Sequence, residues 1–482
     1  MFSELVEKGV RLTVDAESLV IANRPDELTP KIIALGKQFV TREDIENLLT
    51  PSAPPSSPFA PVQVIGPTHF QPSSKDAESN ISVVHSLDVT GKSRTKGEVA
   101  NFVAHFRNRY ERLSRMLRRG SANLPTIDLA DAKRHVNERV RIVVLISDRR
   151  DTKKGNLMLE VEDMTAAFKV IVSESRINDK IRDKARYVLL DDVVAITGKV
   201  LESFIIAEDI EWPDLPVIRE KRHVENDVAI AYLSDLHFGS KYFLGKHLQA
   251  FSDWLHGKGE AKDLAGKVKY IAIAGDVVDG IGIYPNQEKE LVVKDVYEQY
   301  AMFSDFLEGL PDYIDVIVAP GNHDAVRRGE PQPAMGKDLF TNDVVRVGNP
   351  STVMIEGLRH LIYHGTSIDS MIASVPGTSY MHPEKVMTEY LKRRHLSPIY
   401  GGNLIIPENI DYMVIEEPPD VFHCGHVHKN GYAQYRGTLV VNSGTFQDRT
   451  DFQVKQGHVP TPGLVPVLEM KHNRLRMLDF KS

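Results

Sequence analysis

The chain has 482 residues, 42% hydrophobic and 26% charged, with a net charge of −7; this is the composition of a soluble globular protein of two to four domains at roughly 100–200 residues each. No apolar run approaches the roughly 20 residues that span a bilayer, and the charged N-terminus MFSELVEKGVRLTVDAE lacks a signal-peptide core, so the expected location is cytoplasmic, away from any membrane. A single cysteine, Cys424, excludes a disulfide framework and an all-cysteine zinc site, which leaves His, Asp, Glu and Asn to hold any metal; the acidic balance means that nucleic acid would be met by local basic patches or through a partner.

Residues 1–49 read as a small helical module. Its apolar positions are Leu5, Val6, Val10 and Leu12, then Ile32, Ile33, Leu35 and Phe39, and Thr41 can cap a last helix carrying Ile45, Leu48 and Leu49. So few apolar residues suit a module that docks onto a partner as well as one that stands alone. Residues 50–94, with TPSAPPSSPFAP and PSSKDAESN, read as a linker in which ISVVHSLDVT can pair as a short strand and little order precedes it.

Residues 95–220 combine an amphipathic helix with an all-β domain. Thr95 and Glu98 have capping-box spacing. Val99, Phe102, Val103, Phe106, Tyr110, Leu113 and Leu117 share one helical face, and Gly120 stands where a helix would stop. Arg112, Arg115 and Arg119, with Arg109 at the margin, lie opposite. Two readings of this stripe stand side by side: contact with a phosphate backbone or acidic partner, or a solvated helix face. Five short β segments follow, the first turn near Lys154-Gly155, with a helix expected near 175–185. This pattern suits a β-barrel of the OB-fold. Its aromatics Phe168, Tyr187, Phe204 and Trp212 are few and scattered for a single-strand platform.

Residues 221–482 carry the chemistry. Apolar strands alternate with helical or loop stretches, as in an α/β layered fold. VAIAYL runs into Ser234-Asp235-Leu236-His237, KYIAIA into Gly275-Asp276-Val277-Val278-Asp279-Gly280, IDVIVA into Pro320-Gly321-Asn322-His323-Asp324, RHLIY into His364-Gly365, and DVFHC into Gly425-His426-Val427-His428. The carboxyl edge of an α/β sheet is where ligands bind. A His/Asp mixture suits Mn, Fe or Zn better than Mg or Ca. Asp-x-His and His-x-His place two ligands on one side of an extended segment. Asp276 is the candidate carboxylate to bridge two ions, a pair that would clamp a phosphate and activate water. Each motif alone is weak; five in order, each at a strand end, are not.

The set D-x-H, G-D-x-x-D-G, G-N-H-D, H-G and G-H-x-H resembles the calcineurin-like metallophosphoesterase superfamily over about residues 227–450. That resemblance implies a four-layer α/β domain and two divalent ions, with Mn the first candidate to support activity. One ion would take Asp235, His237, Asp276 and His428; the other would take Asp276, Asn322, His364 and His426. His323 would face the substrate and stabilise or protonate the leaving group. A barrel placed before such a domain, and the wording FHCGHVHKNGY followed by VVNSGTFQ, is similar to the small subunits of archaeal family D DNA polymerases. Every ligand position is filled, unlike the degenerate eukaryotic small subunits, and the domain order differs from that of the double-strand-break repair nucleases. The resemblance implies a proofreading 3′→5′ exonuclease partnered by a large polymerase subunit and DNA. A sliding clamp is a further candidate partner, although no clear clamp-binding peptide is present. Polymerase catalysis is not assigned to this chain, since no second carboxylate constellation stands outside the site. The alternatives are a scaffold for the large subunit and a stand-alone phosphodiesterase for small molecules.

The remaining candidates are lesser. Cys424 and His423 read as packing, and His382, His395 and His458 as surface or loop residues. Arg327 and Arg328 are candidates for the DNA backbone or for plain solvent exposure, and Val467–Phe480 for closing strands.

Overall fold

Among the described residues of the first unit, which spans 1–69, apolar residues spaced three and four apart draw the chain into four short helices. The computed structural model describes residues 2–23, 25–49, 70–119, 124–153, 155–173 and 179–481; part of the linker, Lys154 and the expected helix stop at Gly120 lie outside these. The elements are α1 (Phe2–Glu7), β1 (Arg11–Leu12), α2 (Val14–Ala22), α3 (Pro25–Ala34), β2 (Phe39–Val40) and α4 (Arg42–Leu49). β1 and β2 pair in parallel. Leu5, Val10, Ala16, Val20, Leu28, Ile32, Val40 and Ile45 form the core. Val6 and Phe39, grouped with them by sequence, point to solvent. Thr41 does begin α4, through a reciprocal arrangement in which the Asp44 carboxylate accepts its N–H at 3.0 Å.

The second unit, residues 70–482, begins with chain that composition assigns to the linker but that is laid on the α/β layers. Ser74 Oγ donates to the Val268 carbonyl at 3.0 Å, and β3 (Ile81–Val83) pairs further along with Val353, Met354 and Ile355. α5 (Val99–Arg119) follows, then β4 (Thr126–Ile127), β5 (Arg139–Asp151), β6 (Leu157–Glu162), β7 (Ala167–Val172), α6 (Asp179–Arg186), β8 (Val193–Val200) and β9 (Ile205–Glu211). The order β5-β6-β7-β9-β8 closes through a β5–β8 pairing into a five-stranded barrel. The thirteen residues of β5 let its first half pair with β8 and its second with β6. Inward residues such as Ile142, Val144, Leu159, Val170, Ile196 and Ile210 fill the barrel, and Ile181 and Ala185 of α6 pack against them.

α5 is the seam between barrel and α/β layers. Its start differs from the spacing signal. Thr95 Oγ1 accepts from Gly97, and Asn101 Oδ1 accepts the Glu98 N–H, so no capping box forms. Two members of the arginine stripe, Arg109 and Arg112, are turned into the protein and form neither a phosphate-binding edge nor a solvated face, while Arg115 and Arg119 are exposed. Arg109 is buried with its Nε donating to the buried Asp411 at 2.6 Å. Arg112 donates to the Asp411 carbonyl at 2.7 Å and to Glu416 at 2.8 Å. His395, expected at the surface, is buried with Nε2 2.9 Å from the same Asp411 carboxylate. Removing one partner of a buried charge pair costs about 3–5 kcal/mol because the other stays buried and uncompensated. Arg109→Ala should therefore destabilise the chain by about 3 kcal/mol, whereas Arg115→Ala, at an exposed position, should stay within about 0.5 kcal/mol. Urea midpoints of the two variants check this; equal midpoints would remove α5 as a locked seam.

The α/β part comprises β10 (Ala229–Leu233), α7 (Gly245–Leu255), α8 (Lys262–Ala265), β11 (Val268–Ala274), α9 (Val296–Glu308), β12 (Asp315–Ala319), β13 (Val345–Arg346), β14 (Ser351–Ile355), β15 (Leu358–Ile362), α10 (Ile368–Ser374), α11 (Pro383–Arg393), β16 (Val421–Cys424), β17 (Asn430–Tyr435), β18 (Thr438–Ser443), α12 (Asp451–Gln456), β19 (Leu464–Glu469) and β20 (Arg474–Asp479). One sheet has the order β13-β12-β11-β10-β19-β20 and the other β17-β18-β16-β15-β14-β3; β19 and β20 are the closing strands expected near the C-terminus. Period-two alternation sets the layers. Ala229, Ala231 and Leu233 pack under Phe251 of α7 and Phe303 of α9. Ile230, Tyr232, Ile317 and Ala319 meet Val353, Ile362, Val421 and Val441 between the sheets. Leu361, Phe422, Cys424 and Val440 pack against Met371, Val386 and Tyr390 of α10 and α11. The result is four layers, helix–sheet–sheet–helix, with β10, β11, β12, β15 and β16 all ending at one rim.

Candidate metal centre

At that rim each strand runs into a tight turn. Asp235, His237, Asp276, His426 and His428 all have positive φ, between 52° and 71°. Residues of this kind adopt that region at a cost and concentrate at functional sites. The Asp-x-His and His-x-His pairs are thus brought together by left-handed turns, not by the alternation of an extended strand. The glycines before Asn322 and His426 make room: a Cβ on Gly321 would collide with Asp276 Oδ1, and one on Gly425 with Asp235 Oδ2.

The seven candidate ligands and His323 lie in one cluster. On one side His428 Nε2 is 3.1 Å from His237 Nε2 and 3.3 Å from Asp235 Oδ1. On the other, His364 Nε2 is 2.9 Å from Asn322 Oδ1, which is 3.1 Å from His426 Nδ1. Asp276 stands between, its Oδ2 3.9 Å from His237 Nε2 and 3.2 Å from His364 Nε2. The donor set fits divalent ions. Asp235 Oδ1 is buried without a hydrogen-bond partner, two imidazole nitrogens face each other, and Asp235, His237 and His428 converge within 4.8 Å, as do Asp235, Asp276 and His364. Burial opposes charge here, yet the Asp276 carboxylate lifts His364 to about 10, and His364 in turn holds Asp276 well below the usual carboxylate range.

A second ring of groups fixes the imidazoles. His237 Nδ1–H donates to Asp279 at 3.0 Å, and His364 Nδ1–H to the Ala274 carbonyl at 2.8 Å. The Gln453 amide lies 2.8 Å from His428 Nδ1, and His426 Nε2–H donates to Asp369 at 3.0 Å. Asp324, pushed up to about 7 by burial and by Asp276, accepts the Gly321 N–H at 2.8 Å and the Tyr300 hydroxyl at 3.2 Å, which pins the Gly-Asn-His-Asp turn. His323 donates its backbone N–H to Asp276 and its Nδ1–H to the Asp279 carbonyl at 2.7 Å, leaving Nε2 for the cleft.

The cluster floors a cleft of about 460 Å³ walled by Tyr284, Tyr380, Asp369 and His458. Among the described residues, no lysine or arginine lines it. Sequence reasoning did not single out Tyr284, Tyr380 or Asp369. His458, read as a surface or loop residue, stacks on Tyr380 with ring centroids 3.7 Å apart. Asp279 sat inside a quoted motif; Asp369, five residues after His364, had no motif to mark it. His423 and Cys424 are buried away from the cluster, His423 bonded to Ser443 at 2.9 Å, and His382 is on the surface. Arg327 is tied to Ser93 and Glu408 rather than free for DNA, while Arg328 donates to the Gly282 carbonyl at the surface.

Residues 228–430 match the model of the calcineurin-like phosphoesterase family. A chain described as the DNA polymerase II small subunit of Archaeoglobus fulgidus is 44% identical over 79% of this chain and 77% of that one. A protein of the same description from Methanocaldococcus jannaschii is 40% identical over 82% and 68%, and one from Methanothermobacter thermautotrophicus 37% identical over 95% and 94%. With identity above one third sustained from end to end, this chain belongs to the family of DNA polymerase II small subunits and carries a metallophosphoesterase domain.

Proposed function

We propose that this chain is the nuclease-bearing small subunit of a DNA polymerase, removing nucleotides 3′→5′ from single-stranded or mismatched primer ends while bound to a large catalytic subunit. The observation that carries the reading is the filled ligand set around a shared Asp276. The naming of the relatives as small subunits supports the large partner; the direction of hydrolysis comes from the motif resemblance. Two divalent ions, with Mn the first candidate, would supply Lewis acidity toward the phosphodiester and lower the pKa of water at the site. Asp235, His237 and His428 would hold one, Asn322, His364 and His426 the other, with Asp276 common to both. His323 would direct Nε2 at the departing 3′ oxygen. Water adds to phosphorus, the P–O3′ bond breaks, and the products are a 5′-nucleotide and a strand one residue shorter with a free 3′ hydroxyl. The barrel, read as an OB-fold, would serve as a platform beside the site, and the chain would work in the cytoplasm.

A recessed cleft admits one flexible strand, so a matched end must first be unpaired at a cost of a few kcal/mol. We expect 5′-labelled primers with a terminal mismatch to be shortened from the 3′ end faster than matched ones, in Mn, and Asp235→Asn to stop both. Equal rates, or release of the labelled 5′ nucleotide, would point to a processing nuclease. No hydrolysis from a chain that still binds the large subunit would point to a scaffold.

A further inference from the structure

Four imidazoles face the candidate ions, and they are not held equally. His364 is 0% exposed, His237 2% and His428 8%, so packing limits their rings. His426 is 15% exposed and stands at the cleft wall. Its Nδ1 lies 3.1 Å from Asn322 Oδ1, an oxygen that accepts a hydrogen bond from a protonated Nδ1 when no ion stands between them, and its far nitrogen makes the 3.0 Å bond from Nε2–H to Asp369 Oδ2. A histidine that presents Nδ1 must carry its proton on Nε2, and a carboxylate at Nε2 enforces that tautomer while raising the basicity of Nδ1.

The carboxylate is half-exposed but is carried on an anchored element. Asp369 lies in the first turn of α10, whose start is tied to two neighbours: Ser367 Oγ is 2.9 Å from the Tyr363 hydroxyl and 2.6 Å from that of Tyr390, on β15's continuation and on α11. Tyr380 adds a hydroxyl interaction with the Asp369 carboxylate from the cleft wall. The arrangement parallels Asp279 behind His237 on the other side of the cluster, so each candidate ion has one imidazole backed by a carboxylate.

We infer that Asp369 is a positioning residue: it fixes His426 in the Nε2–H tautomer and aims Nδ1 at the ion shared with Asn322 and His364. The ion half of this statement rests on the two-ion reading above; the tautomer half does not. Loss of a carboxylate behind a metal-binding histidine typically lowers ion affinity about 10–100-fold.

Two measurements on the full chain separate the halves. Nitrogen-15 NMR of histidine-labelled, metal-free protein, with the His426 signals assigned through His426→Gln, should show Nε2 protonated in the wild type, the proton shifted to Nδ1, where Asn322 Oδ1 accepts its hydrogen bond, in Asp369→Ala, and Nε2 protonated again in Asp369→Asn, whose amide oxygen still accepts the bond. Calorimetric titration with Mn should show one of two ions weakened about 10–100-fold in Asp369→Ala, the other unchanged, and most of the loss recovered in Asp369→Asn. An unchanged tautomer in Asp369→Ala, or equal weakening of both ions in both variants, overturns the assignment. A wild type that takes no second ion, with the tautomer shift intact, upholds the positioning role and overturns the two-ion reading instead.

Discussion

Asp276→Ala is expected to reduce hydrolysis to background, by more than about 10³-fold, and to strip the protein of bound metal. Losing one preorganised contact to the reacting group typically costs about 10²–10³-fold. Asp276 does more than that, because it lies between His237 at 3.9 Å and His364 at 3.2 Å and belongs to both halves of the cluster. It also accepts the His323 backbone N–H at 2.8 Å, so its removal loosens the turn that aims His323. Asp276→Asn separates the contributions. The amide can still accept the His323 N–H and keep the turn, but a neutral oxygen offers far less to a pair of dications, so activity should stay near background while thermal stability stays near that of the parent. Metal analysis of purified protein and a Mn-supported nuclease assay read both effects. A variant that keeps two ions, or more than a tenth of the rate, would take the bridging role away from Asp276.

The candidate cluster was legible in the sequence because its motifs are local. Asp235-x-His237 and His426-x-His428 are neighbours in the chain, each follows an apolar run, and strand ends of one α/β domain converge whatever the intervening loops do. What failed to show were features whose partners are distant in sequence. Arg109 looks like any arginine on a helix until Asp411, 302 positions away, is placed against it; amphipathic periodicity reports one partner surface, and α5 has two. β3 could be expected to pair, but its partner β14 could not be named, since an edge strand is chosen by shape and not by pattern. The left-handed turns at five candidate ligands were hidden because φ is imposed by the convergence of strand ends and not by residue type. Asp369 was invisible for a related reason: a group that acts by orienting another residue needs only to be near it, and no spacing rule records that.

His323→Ala is expected to lower turnover by roughly 10²–10⁴-fold, the usual worth of a group that assists proton transfer or charge at a leaving atom, while leaving metal content unchanged. The geometry argues for this split. Nδ1–H is engaged with the Asp279 carbonyl at 2.7 Å, so the ring is fixed and only Nε2 is turned to the cleft. The ring stands edge-on to His237 with centroids 4.8 Å apart, within the cluster yet outside the contacts that join Asn322, His364 and His426. A competing arrangement exists, because His237, Asp276 and His323 also present ligand atoms within 4.8 Å of one another; there His323 would be a ligand and its loss would release an ion. Metal analysis decides between the two. Substrate chemistry adds a second check: a p-nitrophenyl phosphodiester has a leaving group that departs without a proton, so the variant's defect should shrink several-fold on it if His323 serves the leaving oxygen. A defect of equal size on both substrates, or loss of metal with activity, would reassign His323 to the ligand set.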